Sequence, residues 1–288
     1  MAICSRFGGN NMVVRSSLIR SFDIKEKSSK WLIGILIASL TSFYIWSIYS
    51  GNGVLEAVKH SLVKTMGFYL SWCFARELDP DAKVEAFYGL APLFIIFIFV
   101  DEVLILPGIF FLLLTRILTR SSGSMVTNFD LIFVLFFSVY LYFFYSFIFP
   151  LSASIFIFAD YKLKGGQKRN IPYASFMLII SLLSFLNLYT IEKTETSIID
   201  ILMVSLITPM FAFRLSTLKN ILSTSDRDKY FLSPKRIKLA GILLLMSSTA
   251  LAINYGYIFQ MGFLWMAMLG ISIPHIKNLK TLQKPLEG

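Results

Sequence analysis

The segment 76–81 brings three carboxylates and one guanidinium together within six residues, in the side chains of Arg76, Glu77, Asp79 and Asp81. Carboxylate oxygens are the ligands that Mg²⁺ prefers in proteins, and a guanidinium matches the geometry of phosphate oxygens. We therefore predict that Asp79, Asp81 and Glu77 bind a divalent cation, Mg²⁺. Arg76 is predicted to bind an anionic oxygen of a substrate.

The same acidic turn also has the pattern of a connection between two helices. Asp79 fits an N-cap, Pro80 fits the first helical position, and Asp81 fits the first turn, where the helix dipole favours negative charge. Such a turn needs only Asp79 as its cap. Glu77, Asp81 and Arg76 exceed that requirement, which favours a functional role for them.

A second group of polar residues lies in the apolar stretch 53–75. On a helix that starts near Glu56, steps of three and four residues collect polar positions on one face. The members of this face are Lys59, His60, Lys64, Gly67 and Ser71. Ionisable groups at membrane depth cost at least ~2.5 kcal/mol each, so this face predicts a polar path or substrate contact through Glu56, His60 and Lys64. The alternative is that residues 53–64 lie in the membrane interface, with the lysines reaching headgroups.

The amino-acid composition predicts that these groups belong to a membrane protein. Hydrophobic residues make up 56% of the 288 residues, charged residues only 15%, and the mean hydropathy is +0.69. This number of charged residues is too small to cover the surface of a soluble globule of this length. Lipid must therefore surround much of the chain. The net charge of +10 lies mainly in the ends and loops, which excludes a nucleic-acid partner in favour of membrane lipids.

The apolar runs predict an all-α integral membrane protein, a polytopic helical bundle with about eight transmembrane helices. Crossing the hydrocarbon core takes roughly 20 helical residues. The predicted spans are 31–49, 53–75, 82–100, 103–118, 171–190, 197–213, 238–257 and 258–273. We assign 31–274 to one membrane domain, between a basic N-terminal tail, 1–30, and a basic C-terminal tail, 275–288.

The stretch 130–160 is too long for one ordinary span and too short for two, and Pro150 interrupts it. We predict a re-entrant or strongly tilted hairpin that returns to its own side. Asp130 and Asp160, at its two ends, would then lie on the same face as the acidic turn. They would either complete a metal site there or flank helix ends.

Basic loops orient the predicted bundle, because Lys and Arg concentrate in cytoplasmic loops. The segments 160–170 and 214–238 are strongly basic, as are both tails. We therefore predict that both termini are cytoplasmic, in a cell (inner) membrane or an organelle membrane. The acidic turn then lies at the cytoplasmic face.

Three functions are compatible with these residues. The favoured one is a membrane-embedded enzyme that acts on a lipid or isoprenoid phosphate with Mg²⁺ at the acidic turn. The alternatives are a transporter or channel for a small solute or ion, which uses the polar second helix, and a non-catalytic membrane assembly protein. The chain carries no H-E-x-x-H, G-x-S-x-G or Walker motif.

Overall fold

The computed structural model describes residues 18, 27–186, 197–219, 221–226 and 230–282, without the side chains of 27, 184–186 and 275–282. The tails 1–30 and 275–288 lie largely outside the described side chains. Every regular element of the described chain is helical, apart from one isolated β-bridge. The α-helices are α1 (Lys27–Tyr49), α2 (Val54–Leu78), α3 (Leu90–Phe99), α4 (Ile105–Thr119), α5 (Asn128–Phe144), α6 (Ile148–Lys162), α7 (Asn170–Leu186), α8 (Ile198–Thr217), α9 (Pro234–Tyr255) and α10 (Gly262–Leu282).

Local sequence signals fix several helix ends. Thr127 and Asp130 form a capping box at the start of α5, since each side chain accepts a hydrogen bond from the other residue's backbone N–H. Pro234 occupies the first turn of α9, where the missing N–H costs nothing. Gly256, with φ of 65°, ends α9 in the left-handed conformation that favours glycine.

The helix ends collect at two opposite ends of the bundle. We call one the charged end, where side-chain hydrogen bonds join the C-terminal ends of α2, α4, α6 and α8 to the start of α9. These bonds involve Glu77, Asp79, Asp81, Arg120, Asp160, Arg214 and Arg236. At the aromatic end, the Leu104 N–H donates to the Gln260 carbonyl at 3.0 Å. The rings of Tyr145 and Tyr257 also meet there, with centroids 6.4 Å apart.

The apolar core is centred on α10, which contacts α2, α3 and α8. Phe263, Trp265 and Met268 on α10 are at most 1% exposed. The chain just before α3 approaches α10 very closely, because a Cβ added at Gly89 would lie 2.1 Å from the Met266 carbonyl oxygen. Only glycine allows this approach of the two backbones.

Three described helices are long and apolar enough to cross a membrane: Ser28–Tyr49, Ile198–Thr217 and Pro234–Tyr255. The helix α2 has 25 residues, but its charged side chains lower its hydropathy. Several other apolar helices have 10–17 residues, less than the roughly 20 that an upright span requires. The all-helical prediction is therefore confirmed, whereas the prediction of about eight spans is not.

The helices of the structure agree with most predicted apolar runs but correct one of them. The run predicted from residue 82 begins as turns and a short 3-10 helix, Glu85–Phe87, and α3 starts only at Leu90. Asp79 is accordingly the C-cap of α2 and not the N-cap of the next helix, so that prediction was wrong. The stretch 130–160 forms the hairpin of α5 and α6, which contact each other.

Candidate functional site

Glu77, the first carboxylate of the acidic turn, points into the bundle and is 1% exposed. The Thr119 hydroxyl donates a hydrogen bond of 2.5 Å to its Oε1 atom. The Arg116 Nε atom lies 3.7 Å from its Oε2 atom. Glu77 therefore ties the last turn of α2 to the last turns of α4.

Asp79, the second carboxylate, pairs with Arg214 on α8. The Nε and Nη2 atoms of Arg214 lie 3.0 and 2.5 Å from the same carboxylate oxygen, Oδ2. Both side chains are largely buried, with 11% exposure for Arg214 and 3% for Asp79. Asp79 thus connects α2 with a helix more than a hundred residues away in the chain.

Asp81, the third carboxylate, binds the loop between α8 and α9. It accepts hydrogen bonds from the backbone N–H groups of Leu222 and Ser223, both at 2.8 Å, and from the Ser223 hydroxyl at 2.6 Å. Burial alone raises the pKa of Asp81, but these hydrogen bonds and the nearby charge of Arg76 outweigh it and hold the pKa below its usual value.

The acidic turn therefore faces three different partners rather than one common ligand. Glu77 contacts α4, Asp79 contacts α8, and Asp81 contacts the α8–α9 loop. Among the described residues, no group of three or more His, Cys, Asp or Glu side chains is arranged to hold a metal ion. Arg76 is 8% exposed, and its charge acts on Asp81.

Asp160 is the centre of a second buried polar cluster at the charged end. It accepts hydrogen bonds from Arg120 at 3.1 and 3.2 Å, from Arg236 at 2.7 Å and from Asn170 at 2.9 Å. Asp160 and Asn170 are both 0% exposed. The cluster joins the chain at the ends of α4 and α6 to the starts of α7 and α9.

A cleft of about 600 Å³ opens directly above this cluster. Its walls combine cationic, aromatic and apolar side chains. They are Thr119, Arg120, Met125, Leu163, Lys164, Tyr230, Phe231, Leu232, Ser233, Lys235 and Arg236. We call this feature the basic cleft.

The basic cleft carries a surplus of positive charge. Four cationic residues line it, Arg120, Lys164, Lys235 and Arg236, and one carboxylate, Asp160, pairs with two of them. Four positive charges against one negative charge leave a local net charge of +3. The exposed Lys164 and Lys235 are available to a ligand, because the ion pairs with Asp160 use only the arginines.

Two backbone features lie at the basic cleft. Arg120 has φ of 55°, the left-handed conformation that L-residues other than glycine rarely adopt. Such strained residues concentrate at functional sites, where the surrounding contacts hold them. Ser233 lines the cleft and is the N-cap of α9 without a side-chain hydrogen bond, so the partial positive charge at the start of this 22-residue helix lies beside the cleft.

The predicted polar face of the second helix is divided by the structure. Glu56 and Lys59 are exposed at the start of α2, and His60 is half-buried. Lys64 is 6% exposed, and its ammonium group lies 5.7 Å from the centre of the Phe43 ring. The face therefore begins at the surface near the aromatic end and continues into the packing between α1 and α2.

The basic cleft was not predicted from the sequence. Lys164, Lys235 and Arg236 belong to the basic segments 160–170 and 214–238, which predicted only the orientation of the bundle, and no role was predicted for Tyr230. The signal that was present is the proximity of aromatic and basic residues in 230–236. That signal alone does not tell which distant segments complete the walls.

Comparisons of the chain with models of protein families, with curated proteins and with solved structures found no significant match.

Proposed function

We propose that the protein is a multi-pass membrane protein that binds an anionic, phosphate-bearing lipid in the basic cleft. The observation that carries this proposal is a cleft whose lining combines a net charge of +3 with apolar side chains. A lipid phosphate combines the same two properties in one molecule. The volume of about 600 Å³ suits a headgroup with the first carbons of its chains.

The two kinds of side chain that line the cleft have separate roles in this proposal. The ammonium groups of Lys164 and Lys235 bind phosphate oxygens as point charges, supported by the N-terminus of α9. Asp160 holds the two arginines in fixed orientations, so that less entropy is lost when a ligand binds. Met125 and Leu163 contact the apolar part of the ligand.

The charge distribution supports a cytoplasmic location of the basic cleft. The described residues of the strongly basic segments 160–170 and 214–238 belong to the charged end, and basic loops are retained on the cytoplasmic side. In this orientation the short helices cross the membrane as members of tightly packed hairpins such as α5 and α6. The bilayer is a cell inner membrane or an organelle membrane.

The magnesium-dependent reaction predicted from the acidic turn stays a prediction. The basic cleft supports the recognition of a lipid phosphate, whereas Glu77, Asp79 and Asp81 contact protein donors. Transport along α2 and a role in assembly likewise stay predictions.

Native mass spectrometry of the detergent-purified protein tests the proposed lipid binding. The probes are phosphatidic acid, a diacylglycerol with the same chains, and inorganic phosphate. We expect the wild type to retain phosphatidic acid and not diacylglycerol. We expect the double variant Lys164→Gln/Lys235→Gln to bind phosphatidic acid at least tenfold more weakly, since two charged hydrogen bonds are lost.

The double variant Lys162→Gln/Lys168→Gln is the matched control, because it removes two exposed lysines that do not line the cleft. It should bind phosphatidic acid as the wild type does. Equal weakening by both pairs, or equal retention of diacylglycerol by the wild type, would overturn the proposal. Displacement of phosphatidic acid by inorganic phosphate at similar concentrations would identify a phosphate site and reject a lipid site.

A further inference from the structure

The connection between α8 and α9 contains a short hairpin, described for residues 221–226 and 230–233. Thr224 and Phe231 form an antiparallel bridge. The Ser225 N–H donates to the Tyr230 carbonyl at 2.8 Å, and the Leu232 N–H donates to the Ser223 carbonyl at 3.2 Å. We call this element the loop hairpin.

Contacts with three other parts of the charged end hold the loop hairpin in place. Asp81 accepts hydrogen bonds from the backbone N–H groups of Leu222 and Ser223 and from the Ser223 hydroxyl. The Asp226 N–H donates to the Ser121 carbonyl at 3.1 Å, and the Tyr230 hydroxyl donates to the Gly123 carbonyl at 3.1 Å. A small separate core lies at its base, formed by Leu218, Ile221, Leu232 and Ile237.

This well-anchored hairpin nevertheless presents large apolar side chains outward. Leu222 and Thr224 alternate onto one face of their strand, and Phe231 pairs with Thr224 and so shares that face. Leu222 is 78% exposed and Phe231 is 69% exposed. The opposite face carries the buried Ile221. The outer face is therefore an apolar surface on a rigid support.

We propose that the outer face of the loop hairpin lies in the headgroup layer of the membrane leaflet at the charged end. The flanking charges favour a lipid surface as the occupant, because the exposed Lys219 and Lys235 are positioned at the two ends of the hairpin segment. Large apolar side chains next to lysines are typical of segments that bind anionic interfaces. The inference rests on the proposed membrane orientation but not on occupancy of the basic cleft.

The contact would also explain the attachment of the hairpin to Asp81. A surface element that inserts into headgroups must keep its apolar face toward the lipid, so its own backbone groups need partners within the protein. Asp81 accepts hydrogen bonds from the backbone N–H groups of Leu222 and Ser223, and the Ser121 carbonyl accepts one from the Asp226 N–H.

Depth-dependent fluorescence quenching tests this inference in vesicles of phosphatidylcholine and phosphatidylglycerol. An environment-sensitive probe is attached at Leu222→Cys in the full chain, with Cys4→Ser and with Cys73 left in the buried position where it lies. We expect lipids brominated near the glycerol backbone to quench this probe at least threefold more than a probe at Lys168→Cys. We expect aqueous iodide to show the reverse order.

Leu222→Ser separates this contact from the basic cleft, because Leu222 does not line the cleft. The variant should retain phosphatidic acid in native mass spectrometry as the wild type does. Quenching of the Leu222 probe by iodide and not by brominated lipid would overturn the inference, and so would protection from both quenchers, which would indicate a protein contact. Loss of phosphatidic acid in Leu222→Ser would assign the side chain to the cleft instead.

Discussion

The charged end and the aromatic end of the bundle are held together by different forces. At the charged end, Asp79 and Asp160 connect helices that are far apart in the chain through charged hydrogen bonds. At the aromatic end, Phe149 packs edge-on or tilted against Phe110, Phe111 and Tyr145, with centroids 5.6–6.1 Å apart. Directional charged hydrogen bonds are therefore concentrated at the charged end, and apolar ring packing is concentrated at the aromatic end.

This difference supports the proposal that a ligand binds at the charged end. Buried ion pairs are poor contributors to net stability, because desolvation offsets their attraction, but they fix side-chain orientation. The charged end carries such pairs directly beneath an open cleft. Fixed arginine orientations at a cleft favour ligand binding, whereas the edge-on and tilted rings of the aromatic end serve packing.

The largest expected effect comes from Asp160→Asn. The substitution leaves Arg120 and Arg236 buried without their carboxylate, with side-chain exposures of only 10% and 8%. Breaking one partner of a buried ion pair costs about 3–5 kcal/mol of unfolding free energy. Denaturant titration in detergent micelles, followed by tryptophan fluorescence, measures the loss.

Glu102→Gln provides the comparison at the aromatic end, where Glu102 is exposed. Its effect should stay within about 0.5 kcal/mol, as for most surface substitutions. If Asp160→Asn and Glu102→Gln lowered the free energy of unfolding by similar amounts, the proposed difference between the two ends would be wrong.

The next largest effect is expected for Phe149→Ala. This ring is 0% exposed and contacts three other aromatic rings, so its removal leaves a cavity. We expect a loss of about 3 kcal/mol in the same titration. Lipid retention by the protein that remains folded should be unchanged. Phe144→Ala, which removes a ring that is 64% exposed at the same end, should have an effect within about 0.5 kcal/mol.

The smallest effect concerns the pH dependence of the loop hairpin. The pKa of Asp81 is below its usual 3.8 because Ser223 and Leu222 donate hydrogen bonds to its carboxylate. A depressed folded pKa means that the stabilisation is fully present above 3.8 and is lost as the pH falls through the folded value. A fluorescent probe at Thr224→Cys should therefore keep its signal from pH 7 to 4 and change below that range.

Asp81→Asn is the reference for this titration. The amide cannot accept three hydrogen bonds as a carboxylate does, so the probe should report a released hairpin at neutral pH. A wild-type signal that changes between pH 5 and 7 would show that another group controls the attachment.

Much of the helical pattern was predictable from the sequence, because helices that face lipid and helices that are buried in protein both appear as long apolar runs. The predicted runs 31–49, 53–75 and 103–118 correspond to α1, α2 and α4 within a few residues. The stretch 130–160 folds as the two packed helices α5 and α6, and its re-entrant or tilted placement in a membrane stays a prediction. Here Asp130 caps α5, one of the two roles considered for it.

The errors arose where tertiary contacts override local signals. Asp79-Pro80-Asp81 has the pattern of a helix start, but Arg214 and Ser223 bind its two carboxylates and the chain continues as turns. The cationic walls of the basic cleft come from the loops after α4 and α6 and from the start of α9. No local pattern can show that such segments meet.

The sequence by itself determined the helical class, the apolar character of the chain and the concentration of positive charge in particular loops. These properties follow from composition and periodicity, which are local. Only the tertiary structure decided which carboxylate meets which guanidinium, since Asp160 joins Arg120 and Arg236 across 40 and 76 residues of chain. Charge pairing over such separations depends on how the helices pack, and that is a property of the whole bundle.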